Sequence, residues 1–342
     1  MSFKYLKQIP SAEEIKSMLP LPVELGRIKK KRDEEIISIF TRQSEKFLVI
    51  IGPCSAHDED AVCDYVARLA KLQEKVKEKL VLVPRIYTNK PRTIGKGYKG
   101  MVHQPDPKKE SNIVEGIKAI RKMHIRAMKE SHLTSADEML YPANYTYLED
   151  ILSYVAIGAR SVENQQHRLT VSGLDIPVGM KNPTSGDLDV MFNSIQAAQF
   201  PHIFIYTGWE VSTPGNSLTH AILRGSVNQF GQSIPNYHYE DLMRVTEIYN
   251  KRQLENPTII IDTNHANSNK QYKEQSRIAR EIIRSMSFSK TLKKIVKGLM
   301  IESFITEGAQ DVTGDVYGKS ITDPCLGWED SEKLVLKMAD NL

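Results

Sequence analysis

From Phe47 onward the chain alternates short apolar runs with longer stretches whose apolar residues recur at helical spacing. This is the pattern of strands each followed by an amphipathic helix. The apolar runs predict eight strands, at residues 47–51, 80–84, 132–136, 155–159, 176–179, 202–206, 258–262 and 298–301. The segments between them are long enough to cross a sheet face and return, which makes the strands parallel. Eight such units predict an α/β fold of the closed (β/α)8 TIM barrel type rather than an open doubly wound sheet. Ahead of the first strand the pattern is helical: Ser11 and Glu14 have capping-box spacing, Pro20 and Pro22 end that helix, and residues 27–40 restart one. The expected division is an N-terminal helical extension, residues 1–45, and a barrel, residues 46–342.

A barrel gathers its functional groups where the strands end. The residues at or just after the expected strands are Cys54, Arg85, Glu138, Arg160, Lys181, Thr207, His265 and Glu302, a set dominated by charged and metal-binding types. Two connections, 86–112 and 208–237, are long for this class, which points to function at the same rim. The first contains Gly95-Lys-Gly-Tyr-Lys-Gly100, which matches a dinucleotide-binding fingerprint by letter. Its context does not fit, because Pro105 and Pro107 follow where a helix should begin.

Composition narrows the function classes. The chain has 342 residues, 40% hydrophobic and 26% charged, so it can bury a large core. Lys plus Arg number 46 against 42 acids, a net charge of +4 that is too small to imply a nucleic-acid or membrane partner. The basic run RIKKKRDEE from Arg27 mixes bases with acids at helical spacing and reads as a solvated helix face. No apolar stretch approaches the length of a membrane span or a signal peptide, and a cytoplasmic location is expected. Three cysteines, Cys54, Cys63 and Cys325, are too few for a disulfide framework and are free thiols, core fillers or metal ligands.

Two chemistries are open to the rim. Cys54, His265, Glu302 and Asp323 converge if the barrel closes, and a thiolate, an imidazole and two carboxylates suit Mn²⁺, Fe²⁺, Co²⁺ or Zn²⁺ better than Mg²⁺ or Ca²⁺. By spacing alone, a lone cysteine such as Cys54 after an apolar strand is more often a core residue. Arg85, Lys90, Arg92, Arg160, Lys181 and Arg224 fall at or beyond strand ends without evident matching acids, which predicts a highly anionic substrate carrying carboxylate and phosphate. Lys181 could instead form a Schiff base with a carbonyl substrate, as barrel lysines do.

Read together, the strand-end blocks are IGPCSAHD from Ile51, PRIYTNKPRT from Pro84, GARSVENQQHR from Gly158, PVGMKNPTSGD from Pro177, HAILRG from His220, IDTNHANSNK from Ile261, MIESFITEG from Met300 and YGKSITDPCLGWED from Tyr317. They resemble the metal-dependent type I 3-deoxy-D-arabino-heptulosonate 7-phosphate synthases over about residues 45 to 332. The resemblance implies condensation of phosphoenolpyruvate with D-erythrose 4-phosphate, the first step of the shikimate pathway. It implies one divalent metal, Mn²⁺ foremost, on Cys54, His265, Glu302 and Asp323. It places Arg85, Lys90, Arg160, Lys181 and Arg224 on phosphoenolpyruvate, and Arg92 and Thr93 on the sugar phosphate. Lys90 joins the metal ligands as a catalytic residue. The extension then serves contacts in a homo-oligomer, a dimer or a tetramer, and feedback control.

The chain departs from the family pattern at Asn89, where many members have an acid, and at Thr263-Asn264, where Phe-Ser is more usual. Two rival readings are a synthase using arabinose 5-phosphate, against which KPRT argues because that family has a loop like KANRS, and a non-catalytic metabolite sensor, against which the full ligand quartet argues. Cys325, two residues past Asp323, is expected to approach Cys54 closely enough for an oxidative disulfide when metal is absent.

Overall fold

A computed structural model describes residues 2–92 and 94–342. Eight parallel strands form the central sheet: β1 (Phe47–Gly52), β2 (Leu80–Pro84), β3 (Ala136–Glu138), β4 (Tyr154–Ile157), β5 (Val178–Lys181), β6 (Thr219–Leu223), β7 (Ile259–Asp262) and β8 (Val296–Glu302). Their order is β2-β1-β8-β7-β6-β5-β4-β3. A parallel bridge between Arg85 and Ala136 closes the ring, with the Ile86 N–H donating to the Ala136 carbonyl at 2.9 Å. The fold is the (β/α)8 barrel expected.

Strand periodicity sorts side chains into two cores. Leu48, Ile50, Val81, Val83, Tyr154, Ala156, Ile222, Ile260 and Met300 fill the interior, while their neighbours Val49, Ile51, Leu82, Val155, Ile157, Leu223, Ile261 and Leu299 pack against the outer helices. Gly179 in β5 makes room inside: a Cβ there would come within 2.3 Å of Ile222 and 2.4 Å of the Tyr154 hydroxyl. The outer layer includes α3 (Glu59–Val76), α4 (Ile113–Ser131), α5 (Gln165–Val171), α6 (Leu188–Gln199), α7 (Tyr239–Arg252), α8 (Gln275–Phe288), α9 (Lys290–Ile295) and α10 (Trp328–Asn341).

The extension folds as α1 (Ala12–Met18) and α2 (Val23–Phe40). Ser11 and Glu14 make both hydrogen bonds of a capping box. The last turns of α2 bury Ile36, Ile39 and Phe40 completely against the interior residues of the barrel, so this helix plugs the floor. The basic run lies on the same helix. Arg32 pairs with Glu35 and donates to the Leu82 carbonyl at 2.9 Å, tying the helix to β2.

The structure corrects the sixth strand. Residues 202–206 are the first arm of an antiparallel hairpin with Trp209–Thr213 outside the barrel, and the barrel strand is Thr219–Leu223. The reason lies in the faces. Ile203 and Ile205 are about three-quarters exposed, whereas a barrel strand is buried on both sides, as all five residues of β6 are. Thr207, expected at a strand end of the catalytic rim, instead forms the two-residue hairpin turn with Gly208. Both have positive φ, 49° and 84°, as the primed turns of tight hairpins require. The expected long loop 208–237 is accordingly a hairpin arm, a barrel strand and a short second hairpin. Smaller shifts follow from local chemistry. His132 is a left-handed helix cap at φ 58°, so β3 starts at Ala136, and β5 runs late enough to include Lys181.

Candidate active site

The strand ends surround a cleft of about 1070 Å³. Cys54 follows β1, Arg85 follows β2, Lys181 ends β5, Arg224 follows β6, and Glu302 ends β8. His265 comes three residues after β7 in a left-handed conformation, φ 51°, within a loop where Asn269 and Lys270 are also left-handed. Strain of this kind persists only where the surroundings hold it, and here His265 lines the cleft.

Four candidate ligands meet here. The donor atoms of Cys54, Glu302 and Asp323 all lie within 4.8 Å of one another, and His265 Nε2 is 4.0 Å from Glu302 Oε1. Two donors on one ion at about 2.0–2.3 Å stand no more than about 4.6 Å apart, so the spacing of Cys54, Glu302 and Asp323 suits a single ion with little movement, while His265 stands outside that group, beside Glu302. His265 Nδ1 faces Asp262 Oδ2 at 2.9 Å, leaving Nε2 for the ion; a carboxylate behind a ligand imidazole fixes the ring in this way. Glu302 is held from behind by Arg85 Nη2 at 3.0 Å and by Asn264 Nδ2 at 2.6 Å. Burial and the nearby Glu302 push the Cys54 thiol up to about 11. It donates to Asp323 Oδ2 at 3.3 Å.

Lys90 Nζ donates to Cys54 Sγ at 2.7 Å and to Asp323 Oδ2 at 2.9 Å. Burial pulls its pKa down, but Cys54 and the carboxylates of Asp323 and Glu302 outweigh it and hold the ammonium protonated well above the ordinary lysine range. Burial pushes the Asp323 and Asp262 carboxyls upward. Lys90 outweighs that at Asp323, as His265 and Lys181 do at Asp262, and both stay well below the usual carboxylate range.

The anion-binding side is more paired than the sequence suggested. Lys181 Nζ lies 3.2 Å from Glu138 Oε2 and 3.7 Å from Asp262 Oδ2, and Arg85 is bound to Glu302. The absence of matching acids is therefore corrected: Glu138, Asp262 and Glu302 sit beneath the cations, at strand ends the chain reaches from other units. Even so, the cleft lining holds eight cationic side chains, the six expected plus Lys96 and Lys270, against two carboxylates, Glu138 and Asp323. Arg224 is 8% exposed, its Nη1 has no hydrogen-bond partner among the described residues, and burial lowers its pKa. Tyr87 forms the wall, with the Arg85 guanidinium 3.8 Å above its ring.

Cys54, Arg85, Lys90, Arg92, Arg160, Lys181, Arg224, His265 and Asp323 all line this one cleft, and Glu302 is paired with Arg85. Arg92 is at the rim, its Nε donating to the Tyr98 carbonyl at 2.7 Å. Thr93 lies outside the described residues. Sequence reasoning missed roles for Glu138, Asp262, Asn264, Tyr87, Lys96 and Lys270. A signal existed for Asp262, a carboxylate closing a wholly apolar strand three residues before His265.

Comparison with known proteins agrees with this architecture. The model of the DAHP synthetase I family matches residues 24–336. A phospho-2-dehydro-3-deoxyheptonate aldolase of Haemophilus influenzae is 37% identical over 330 residues, covering 94% of this chain and 88% of that protein. The Phe-sensitive phospho-2-dehydro-3-deoxyheptonate aldolase of Escherichia coli (strain K12) is 39% identical over 313 residues, 89% of this chain and 86% of that protein. The solved structure of a phospho-2-dehydro-3-deoxyheptonate aldolase from Francisella tularensis SCHU S4 superposes with a TM-score of 0.91 at 30% identity, over 99% of this chain and 98% of that one. With a family match across nearly the whole barrel and relatives alike from end to end, this chain belongs to the DAHP synthetase I family.

Proposed function

We propose that this protein condenses phosphoenolpyruvate with D-erythrose 4-phosphate and water to give 3-deoxy-D-arabino-heptulosonate 7-phosphate and inorganic phosphate, the first step of the shikimate pathway. The observation that carries the reading is a cation-lined cleft, in which His265 and a buried Arg224 Nη1 with no hydrogen-bond partner among the described residues stand beside the Cys54, Glu302 and Asp323 cluster. An anion site beside a metal-ligand set suits a doubly anionic enol phosphate meeting an aldehyde.

In this reading Arg85, Arg160, Lys181 and Arg224 receive the carboxylate and phosphate of phosphoenolpyruvate. Arg92 and Thr93 receive the sugar phosphate. Cys54, His265, Glu302 and Asp323 would hold one divalent ion, Mn²⁺ foremost, with Fe²⁺, Co²⁺ or Zn²⁺ also suited to the mixed donors. Such an ion supplies Lewis acidity toward the aldehyde oxygen. C3 of phosphoenolpyruvate attacks C1 of the aldehyde, water adds at C2, and the bond from C2 to the phosphate oxygen breaks. Lys90, held as an ammonium, supplies the proton that the new C1 oxygen takes up and regains one from the water added at C2, whose second proton leaves with the phosphate. The cations offset charge on the departing phosphate.

We infer a homo-oligomer, dimer or tetramer, with residues 1–45 contributing contacts and residues 46–342 the chemistry. The hairpin leaves Ile203, Ile205 and Trp209 about three-quarters exposed, and Phe3 and Tyr5 are also exposed. Among the described residues no helix is long and apolar enough to cross a membrane. We assign the reaction to the cytoplasm, where phosphorylated sugars are made.

The test is phosphate release from phosphoenolpyruvate by metal-stripped protein, with Mn²⁺ restored or withheld, offering erythrose 4-phosphate and arabinose 5-phosphate in parallel. Release only with erythrose 4-phosphate and metal is expected. Release with arabinose 5-phosphate, or silence with both, overturns the assignment.

A further inference from the structure

Lys90 reaches the ligand cluster from a loop with no strand or helix of its own, and something must fix that loop. The ladder between β2 and β3 ends where the Ile86 N–H meets the Ala136 carbonyl. One residue further along β3, a side chain takes over from the backbone. Asp137, 4% exposed, accepts the Thr88 N–H on Oδ1 at 2.9 Å and the Thr88 hydroxyl on Oδ2. Oδ1 also accepts the N–H of Glu138 at 2.7 Å. Behind it, from α4, stands His124, 1% exposed, with Nε2 3.8 Å from Asp137 Oδ2 and Nδ1 hydrogen-bonded to Ser135 Oγ at 2.7 Å.

Two further contacts complete the grip. The Lys90 N–H donates to the Lys99 carbonyl at 3.1 Å. Gly100, at φ 98°, packs so close that a Cβ would stand 2.4 Å from the Thr88 carbonyl and 2.9 Å from the Lys90 nitrogen. A buried carboxylate is retained only where donors satisfy it, and here two of its three donors belong to Thr88, two residues before Lys90. The same short strand carries Glu138, the partner of Lys181. One dipeptide of β3 therefore sets Lys90 through the Asp137 carboxylate and Lys181 through the Glu138 carboxylate.

We propose that Asp137 is a positioning residue of the active site, holding the Thr88–Lys90 turn so that the Lys90 ammonium meets Cys54 and Asp323. The inference rests on the proposed reaction for its kinetic consequence and on geometry alone for its structural one. Asp137 touches no candidate ligand and does not line the cleft. Its effect passes through Thr88.

The experiment compares wild type, Asp137→Ala, Asp137→Asn, Thr88→Val and the double variant of Asp137→Ala with Thr88→Val, using amide hydrogen exchange by mass spectrometry beside steady-state kinetics. In Asp137→Ala, exchange in the segment 88–92 should accelerate about 10- to 100-fold while β4 and β5 stay protected, because the anchor of that turn alone is removed. kcat should fall about 10- to 100-fold, since small misplacements of a catalytic group cost this much, with KM for phosphoenolpyruvate changed less than about threefold. Asp137→Asn, which keeps an acceptor for the N–H, should recover part of both. Thr88→Val should add little to Asp137→Ala, because both remove one link. Unchanged exchange at 88–92, or loss of protection that extends through β4 and β5, overturns the proposal. Should wild type fail to turn over the two substrates, the reaction assignment falls while the exchange measurement still decides the role of Asp137.

Discussion

The ammonium of Lys90 lies 2.7 Å from the sulfur of Cys54 and 2.9 Å from Asp323 Oδ2, so one cation spans two of the four candidate metal ligands. Replacing Cys54 with Ala removes the only soft donor of the set and leaves Lys90 with Asp323 alone. Metal affinity should drop by more than about 100-fold, beyond the loss typical of outer-sphere changes, and metal-dependent turnover should vanish while the far-ultraviolet circular dichroism stays that of the barrel. Full activity of Cys54→Ala after chelation and metal readdition would remove Cys54 from the ligand set.

Metal uptake should also depend on pH. The Cys54 thiol, raised to about 11 by burial and by Glu302, is neutral near pH 7, and a coordinating sulfur must be a thiolate. Binding therefore releases a proton, and apparent affinity should rise by up to about tenfold per pH unit across the neutral range. Calorimetry in two buffers of different ionisation enthalpy measures the proton count. A value of zero would show that the sulfur does not ligate as a thiolate.

His220 makes stability fall in mild acid. It is wholly buried above Phe40 on the barrel floor; Nδ1 donates to the Leu218 carbonyl at 2.8 Å, and Nε2 accepts from the Tyr154 hydroxyl at 2.8 Å. That arrangement suits the neutral ring, and burial lowers its pKa to about 4 despite the Leu218 carbonyl. The unfolded chain takes up the proton near pH 6.5 and the folded chain only near 4. Stability from this residue is complete above about pH 6.5 and is lost as pH falls toward 4, by up to about 1.4 kcal/mol per unit. Chemical denaturation at pH 7 and pH 5 should show this loss, and His220→Gln should flatten it. An equal slope in the variant would assign the effect to other groups.

The exposed hairpin face gives the oligomer a test. Changing both Ile203 and Ile205 to Lys should weaken self-association by at least about 100-fold, because burying each isoleucine is worth about 1.5–3 kcal/mol. Sedimentation velocity should then show a smaller species with the barrel intact. An unchanged sedimentation coefficient would place the interface elsewhere.

Cys325 donates no ligand to the cluster but packs beneath it, its Sγ accepting the Cys54 N–H at 3.4 Å. Metal-stripped protein exposed to air should lose two of its three titratable thiols to a Cys54–Cys325 disulfide, and metal-loaded protein none. Cys63, in α3, is the thiol that stays. Three thiols in both samples would dispose of the disulfide.

Much of the site was legible because barrel topology turns a one-dimensional list of strand ends into a ring. Seven of the eight expected runs overlap the barrel strands, and the eighth failed for a physical reason. HIFIY and THAIL are both short and apolar, but the first alternates faces and ends in a Thr-Gly turn, which belongs to a two-stranded hairpin. Arg224 was found all the same, although it was read as part of a loop and in fact follows β6 directly. The acids under the cations were harder. Glu138, Asp262 and Glu302 lie far apart in the chain, and only the ring order β3-β4-β5, β5-β6-β7 and β8-β1-β2 brings each beside its cation.

The sequence by itself determined the repeating strand and helix units, the parallel barrel, the two helices before it, and the residue types gathered at one rim. These follow from local periodicity and capping chemistry, which act within a few residues. Only the tertiary structure decided which apolar run entered the barrel, that α2 closes its floor with Phe40, and that Asp137 holds the turn leading to Lys90. Those relations join residues tens to hundreds of positions apart. Burial and hydrogen-bond satisfaction settle them, and neither quantity exists until the chain has closed on itself.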